Sequence, residues 1–287
     1  MEHETDRNDR NDGYMTGETS PRHPVIVLNQ GGQTVKVIAI MGSPHLGKGY
    51  AIVQQIETEL KRRGAIDFEY IFLKDVNLQP CRGCFACIAK GESCCPLQDD
   101  RERIEQKILA ADGIILNTPG YTQNVSGLMK NFMDRFAYSL HRPKFFKQSL
   151  MLVANGGSGL SKVNKALAMT LGGSNKVCEL KITTAPWEPT AKYANQTKRA
   201  IEKNATCFYA AMANSNDAPP PLGNLIWFRL FKKMAALSAQ NLPADHQFYR
   251  DKQHYFYETR VNPVKSTLAK IIAVAAVRSL KKQVVFK

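Results

Sequence analysis

Short apolar runs alternating with helical periodicities constrain this chain more than any other feature. Val35-Lys-Val-Ile-Ala-Ile-Met41 has the character of a buried strand and ends in Gly42-Ser43-Pro44. From Tyr50 to Arg63, residues Ile52, Val53, Ile56 and Leu60 recur at the spacing of one helix face, and Gly64 stops the helix. The pattern then repeats. Strands are predicted over Phe68–Leu73, Gly113–Asn117, Ser149–Ala154 and near Val177–Thr183. Helices are predicted from Asp99-Asp100 through Ala110, from a Ser126 cap to about Leu140, from the glycines after Asn155 to Leu171, and near Lys192–Ala213.

Strands that alternate with helices form a parallel sheet covered on both faces. Five strands predict an α/β fold of the doubly wound, flavodoxin-like kind, in the order 2-1-3-4-5, with ligands bound beyond the carboxyl ends of the strands. Three of those ends carry suggestive loops, Gly42–Gly49, Thr118–Gly127 and Asn155–Gly159, which lie far apart in sequence and would meet in space. In the first, glycines before a helix let backbone amides approach an anion. Ser43 can donate a hydroxyl there and Lys48 a positive charge, and His45 stands within reach of the same anion. The loop is neither a Walker loop nor a dinucleotide GxGxxG. In the second, Pro119 and Gly120 expose backbone amides, and Tyr121 offers a flat face with a polar tip.

Five of the seven cysteines fall in one stretch, Cys81-Arg-Gly-Cys84-Phe-Ala-Cys87-Ile-Ala-Lys-Gly-Glu-Ser-Cys94-Cys95. Two-residue gaps let three thiolates converge from one tight loop, and Cys94 or Cys95 can close a fourth corner around a tetrahedral metal or a cubane cluster. The expected ligand set is Cys81, Cys84, Cys87 and Cys94, with Cys95 as the alternative fourth. A reduced loop without metal is the bland alternative. The isolated Cys178 and Cys207 are expected to be core residues.

Composition bounds the remainder. Residues 1–34 are rich in Asn, Asp, Gly and Pro without periodicity and read as a disordered lead with no apolar signal core. Residues 35–213 form the principal domain, 214–221 a Pro-rich linker, and 222–287 a basic helical extension. The net charge of +14 is concentrated in that extension, where Gly223 to Lys287 carry twelve Lys and Arg against Asp245, Asp251 and Glu258. No apolar run is long enough to span a bilayer, so a soluble cytoplasmic protein is expected. Within the extension, Leu222–Leu237 and Val264–Lys282 are amphipathic helices with interleaved cations, while Asn241–Tyr257 has no assignable pattern. Both helices are expected to dock on the domain or across a homo-oligomer. Contact with an anionic membrane surface is the rival reading. A nucleic-acid role ranks last, because no recognised module accompanies the charge.

The span from about Val35 to Thr183 resembles the iron–sulfur flavoprotein and NAD(P)H-dependent FMN reductase family. The matching pieces are Gly42-Ser43-Pro44, Pro80-Cys81-Arg-Gly-Cys84-Phe-Ala-Cys87, Asp99-Asp100, Ala111-Asp112-Gly113, Thr118-Pro-Gly-Tyr121, Ser126-Gly-Leu-Met-Lys130 and Phe132-Met-Asp134-Arg135. The resemblance implies non-covalent FMN, with its phosphate on Ser43 and the loop through His45 and Lys48 to Tyr50. Its ring system would lie against Pro119, Gly120, Tyr121 and Asn124 on one side and Asn155, Gly156 and Gly157 on the other. The family usually continues to Gly-Asn-Thr or Gly-Asn-Ser at the phosphate, where this chain has Lys48-Gly49-Tyr50. Relatives with a cluster hold [4Fe–4S] on the compact cysteines, and relatives without one keep several of these cysteines. The implied activity is an FMN-dependent oxidoreductase drawing on NAD(P)H or a low-potential carrier, with a non-enzymatic electron-transfer flavoprotein as the alternative. No general acid or base is assigned.

Overall fold

The computed structural model describes residues 34–184, 186–213 and 219–286. The predicted lead up to residue 33 and most of the predicted linker lie outside them. Strand β1 (Val35–Met41) is followed by helix α1 (Lys48–Lys61) and β2 (Ile66–Phe72). The cysteine stretch holds one short turn of helix, α2 (Ala86–Ala89), before α3 (Arg101–Leu109) and β3 (Gly113–Pro119). Next come α4 (Gly127–Arg135), α5 (Tyr138–His141), β4 (Ser149–Gly156), α6 (Leu160–Leu167), β5 (Asn175–Thr183) and α7 (Ala191–Ala213). The five strands form one sheet in the order β2-β1-β3-β4-β5, and every pairing is parallel. This is the flavodoxin-like order expected from the alternation.

Parallel strands bury both faces, which is why β1 and β3 are nearly continuous apolar runs. The period-two alternation divides the core into two layers. Ile38, Ile40, Ile114, Leu116, Leu150 and Leu152 point to one face and pack with Ile104 and Ile108 of α3, Phe132 of α4 and Val163 of α6. Val37, Ala39, Ile115, Met151 and Val153 point to the other, against Val53 and Ile56 of α1 and Ala205 and Phe208 of α7. In register, Met41 faces Asn117, and Pro119 faces Asn155. The carboxyl ends of β1, β3 and β4 therefore lie side by side, and the three loops of interest do meet.

The expected helix from Ser126 to Leu140 breaks after Arg135, and α5 resumes only at Tyr138. The break turns His141 and Arg142 toward the carboxy-terminal extension. That extension contains α8 (Leu222–Leu237), α9 (Pro243–Arg250) and α10 (Pro263–Leu280). Helix α9 occupies the segment for which sequence offered no pattern; Pro243 at its first turn and Asp245 in that turn suit a helix start. The three helices share a core of Leu225, Phe228, Phe231, Tyr249, Tyr255 and Ala269.

The unit docks on the sheet domain through α5 and the segment after it. Trp227 Nε1 donates to the Leu140 carbonyl at 3.2 Å, and the Tyr249 hydroxyl donates to the His141 carbonyl at 2.6 Å. Phe146 meets the rings of Phe256 and Tyr257 at 5.3 and 5.0 Å. Beneath these contacts, buried Asp245 accepts hydrogen bonds from buried Arg142 and pairs with His141 Nδ1 at 2.7 Å. Of the isolated cysteines, Cys178 is half-buried on β5, whereas Cys207 is exposed rather than part of the core. Among the described residues, no helix is long and apolar enough to cross a membrane.

Removing one partner of a buried ion pair strands the other charge, at about 3–5 kcal/mol. Asp245→Ala is expected to cost about 3 kcal/mol in urea unfolding, the low end, because Glu92 remains 3.3 Å from Arg142. It should also accelerate proteolytic release of α8–α10. A change within about 0.5 kcal/mol, the range of an ordinary surface substitution, would show that Arg142 does not hold the extension.

Candidate functional site

Gly47 caps α1 without any side-chain hydrogen bond, so the first amides of that helix face the loop uncapped. Such a terminus favours an anion. A Cβ built on Gly49 would lie 2.8 Å from Asn155 Oδ1 and 2.9 Å from Asn117 Oδ1. Only glycine lets α1 settle this closely on the ends of β3 and β4. Asn117 is fully buried; its Nδ2 donates to the Val153 carbonyl and to Asn155 Oδ1, both at 3.2 Å. Its Oδ1 has no hydrogen-bond partner among the described residues. A buried acceptor left open beneath a helix start is a feature of a site rather than of a finished core.

The residues expected at the phosphate separate by role. Ser43 Oγ donates to the His45 carbonyl at 2.8 Å and accepts from the His45 amide at 3.2 Å, so it shapes the loop from within. His45 and Lys48 are exposed at its rim. The Tyr50 ring turns away, packing edge-on to Tyr70 and Phe72 at 5.4 and 5.7 Å, so Tyr50 can offer the site only its backbone.

The other two loops are locked to each other. The Gly120 amide donates to the Asn155 carbonyl at 2.7 Å. Tyr121 and Asn124 exchange backbone hydrogen bonds at 3.0 Å across a two-residue tip, where Thr122 and Gln123 have φ of 51° and 58°. Both are non-glycine residues in the left-handed region, as a type I′ turn demands. Such backbone costs of order 1–3 kcal/mol per residue and persists where surroundings over-determine it. Here Lys162 Nζ donates to Gln123 Oε1 at 2.6 Å. Gly159, itself at φ 71°, abuts Gln123 so closely that a Cβ would come within 2.7 Å. The result holds Tyr121 half exposed at the mouth, beside Pro119, Gly120, Gly156 and Gly157. One neighbour was not legible in sequence: a groove of about 490 Å³ runs from Lys48 to exposed Trp187 on the loop between β5 and α7.

The cysteine loop lies farther along the same edge. Gly83 and Phe85 take φ of 64° and 58°, and these two reversals coil the chain so that Cys81, Cys84, Cys87 and Cys95 line one small cavity. Cys94 does not join them. Its Sγ contacts the Lys90 carbonyl at 3.7 Å, on the turn of 3₁₀-helix at Glu92–Cys94 that precedes Cys95. Burial pushes the Cys87 thiol pKa up, and the nearby sulfurs of Cys95, Cys81 and Cys84 add to it. The Gly83 amide donates to Cys81 Sγ at 3.5 Å, and Arg135 Nη2 to Cys95 Sγ at 3.9 Å. Among the described residues, no three His, Cys, Asp or Glu converge tightly enough for a single metal ion. Cys81, Cys84, Cys87 and Cys95 nevertheless share one cavity lining, with a backbone amide donating to one sulfur and a guanidinium to another; an all-thiolate donor set of this kind is chemically suited to iron–sulfur ligation.

Helix α4 joins the two regions. At its start Ser126 Oγ donates to the Gly42 carbonyl and accepts from the Met129 amide at 3.1 Å. Five residues on, Asn131 Oδ1 accepts from the Cys81 amide at 3.0 Å, and Asn131 Nδ2 donates to the Leu78 carbonyl at 2.9 Å. Arg135 donates to the Gln79 carbonyl at 2.7 Å and grips Asp99 with both terminal nitrogens, one of them at 2.9 Å. The Arg135 and Asp99 side chains are only 2% and 0% exposed. From the other side, Arg142 donates to the carbonyls of Cys87 and Ile88.

Burial alone would raise the Asp99 pKa, but hydrogen bonds from Arg135 and from the Arg101 and Gln79 amides hold it below the ordinary aspartate value. A depressed folded pKa contributes stability that is complete above the unfolded value, about 3.9, and is lost as pH falls toward the folded one. Asp99→Asn is expected to lower stability at neutral pH by about 3–5 kcal/mol. It should also flatten the fall in thermal midpoint between neutral and acid pH; an unchanged slope would remove Asp99 from the acid response.

Residues 35–182 match the profile of the NADPH-dependent FMN reductase family. An iron–sulfur flavoprotein of Archaeoglobus fulgidus is 29% identical over 188 residues, 62% of this chain and 91% of that protein. Another, from Methanocaldococcus jannaschii, is 42% identical over 102 residues, 35% of this chain and 51% of that protein. Among solved structures, an FMN-dependent NADH-azoreductase from Bacillus anthracis aligns over 60% of this chain and 98% of its own, with 14% identity and a TM-score of 0.46. The family profile spans the whole sheet and all three loops at its mouth, and the chain belongs to the NADPH-dependent FMN reductase family as an FMN-dependent oxidoreductase.

Proposed function

We propose that the chain is an FMN-dependent oxidoreductase drawing on NAD(P)H or a low-potential carrier, with a [4Fe–4S] cluster held by Cys81, Cys84, Cys87 and Cys95. The observation that carries this reading is the cavity shared by those four cysteines, tied through α4 to the flavin loops. FMN supplies two-electron chemistry between a reduced nicotinamide and an acceptor, and a cluster supplies one-electron exchange.

The protein's share is binding, orientation and access. The uncapped start of α1 and the rim cation of Lys48 favour the phosphate dianion. The Asn117–Asn155 pair, rigid and buried, sets how deeply the loop sits. Tyr121 at 50% exposure, on a turn that resists collapse, offers a face to the heteroaromatic ring while leaving its other side open to a nicotinamide. At the cysteine loop, the Arg135 guanidinium and the Gly83 amide lower the cost of gathering negative sulfurs.

Two measurements test the proposal. Ser43→Asp puts a carboxylate beside the phosphate position and is expected to weaken FMN at least about tenfold, roughly 1.4 kcal/mol, while leaving riboflavin, which lacks the phosphate, nearly unchanged. Equal losses for both flavins would mean the loop had simply collapsed, and no loss would remove the phosphate from it. For the cysteines, anaerobic reconstitution followed by iron and acid-labile sulfide analysis is expected to give a full cluster for Cys94→Ala and loss of about one-half or more for Cys95→Ala, since a four-cysteine cluster would be left one ligand short. The reverse order would make Cys94 the ligand. Neither iron nor sulfide in the unaltered protein would leave a flavin enzyme without a cluster.

A further inference from the structure

Helix α10 is apolar on two opposite faces. Ala269, Ala273 and Val277 form its buried face, which packs toward α8. The opposite face carries the larger side chains Val264, Leu268, Ile271 and Ile272, all exposed, with Val264 at 76% and Ile271 at 61%. This reverses the usual arrangement, in which large aliphatic residues go inward and small ones are spared. Beyond the helix, Val284 and Val285 are exposed as well. The α8 helix behaves differently: Phe228 and Phe231 are buried in the extension's own core. Docking on the domain therefore accounts for α8 and leaves the outer face of α10 uncovered.

The charge around this face is of one sign. From Thr259 to Lys287 the sequence contains seven Lys and Arg and no Asp or Glu. At about 100° per residue, Lys265 falls on one flank of the aliphatic stripe and Arg278 on the other, Lys282 continues its line, and Lys281 and Lys270 lie farther round, between the stripe and the buried face. All five are exposed. A second copy of the same face would bring these cations together, which opposes self-pairing. An anionic bilayer offers negative headgroups at the level of the cations and apolar depth for the aliphatic side chains between them.

We infer that the outer face of α10, with Val284 and Val285 beyond it, docks the protein on an anionic lipid surface. The helix lies in the plane of the interface and does not cross it. Lysine and arginine stems flank the aliphatic contact while their charged ends stay at headgroup level.

The full-length, FMN-loaded protein should be sedimented with vesicles of phosphatidylcholine alone and of phosphatidylcholine mixed with phosphatidylglycerol. The expected result is partition onto the mixed vesicles, at least about tenfold weaker onto the neutral ones and reversed by high salt. Leu268→Glu with Ile271→Glu should abolish binding while flavin absorbance and circular dichroism stay unchanged. Lys281→Gln with Lys282→Gln should weaken it about fivefold per charge. No partition onto anionic vesicles, or binding retained by the double glutamate variant, overturns the inference. A dimer in light scattering that the glutamate variant dissociates would assign the face to a second copy instead. Equal binding to soluble polyglutamate would assign it to acidic proteins.

Discussion

The clasp between Arg135 and Asp99 is the interaction on which the functional half of this molecule depends. Both side chains are almost wholly buried, and each satisfies the other's charge while also holding backbone: Arg135 the Gln79 carbonyl, Asp99 the Gln79 and Arg101 amides. Backbone groups on both sides of the cysteine stretch are thereby fixed to one side-chain pair. Because Arg135 sits on α4, and α4 begins at the Ser126 cap against the β1 loop, the cysteine loop and the loops after β1 and β3 share a single strut. A surface ion pair could not do this, since solvent competition would leave little net attraction.

The sheet was legible because a parallel strand buried on both faces must be apolar at every position, and an amphipathic helix must repeat at its own period. Those two rules located the inner strands; the edge strands β2 and β5, half-buried and carrying Asp67, Glu69, Glu179 and Lys181, were placed by the alternation with helices, and the order followed from the fold that five such strands suit. The meeting of Gly42–Gly49, Thr118–Gly127 and Asn155–Gly159 follows from that order, so the convergence of these loops was legible too. Side-chain direction was not. Tyr50 lies one position beyond Gly49, yet its ring belongs to the aromatic packing of β2. Cys94 and Cys95 are adjacent, and spacing cannot choose between them; the 3₁₀ turn at Glu92–Cys94 sends the first to Lys90 and the second to the cavity. Helix α9 escaped detection because its apolar residues are Tyr and Phe scattered among charges, and only contact with α8 gives them a face.

Left-handed backbone marks both functional loops. Thr122 and Gln123 in the loop after β3, and Phe85 in the cysteine loop, are places where the chain departs from its cheapest conformation, while Gly83 reaches the same region without a Cβ penalty. Each is braced from outside, by Lys162 and Gly159 in one case and by Arg135, Asn131 and Arg142 in the other. The bracing comes mostly from side chains on the helices rather than from the loops themselves. The local sequence of either loop therefore gives little sign of its shape.

The bond from Asp245 to Arg142 spans 103 residues of chain, and Arg142 in turn supports the carbonyls of Cys87 and Ile88. During synthesis the sheet domain and every cysteine of the loop emerge well before Asp245 does. At about 5–20 residues per second, the ribosome takes roughly 5–20 s to cover that interval. For that time the nascent loop has Arg135 as its anchor and lacks the carboxylate that finally seats Arg142. The full set of carboxylates at Arg142, Glu92 from the cysteine stretch and Asp245 from α9, is therefore available only once the carboxy-terminal helices have been made.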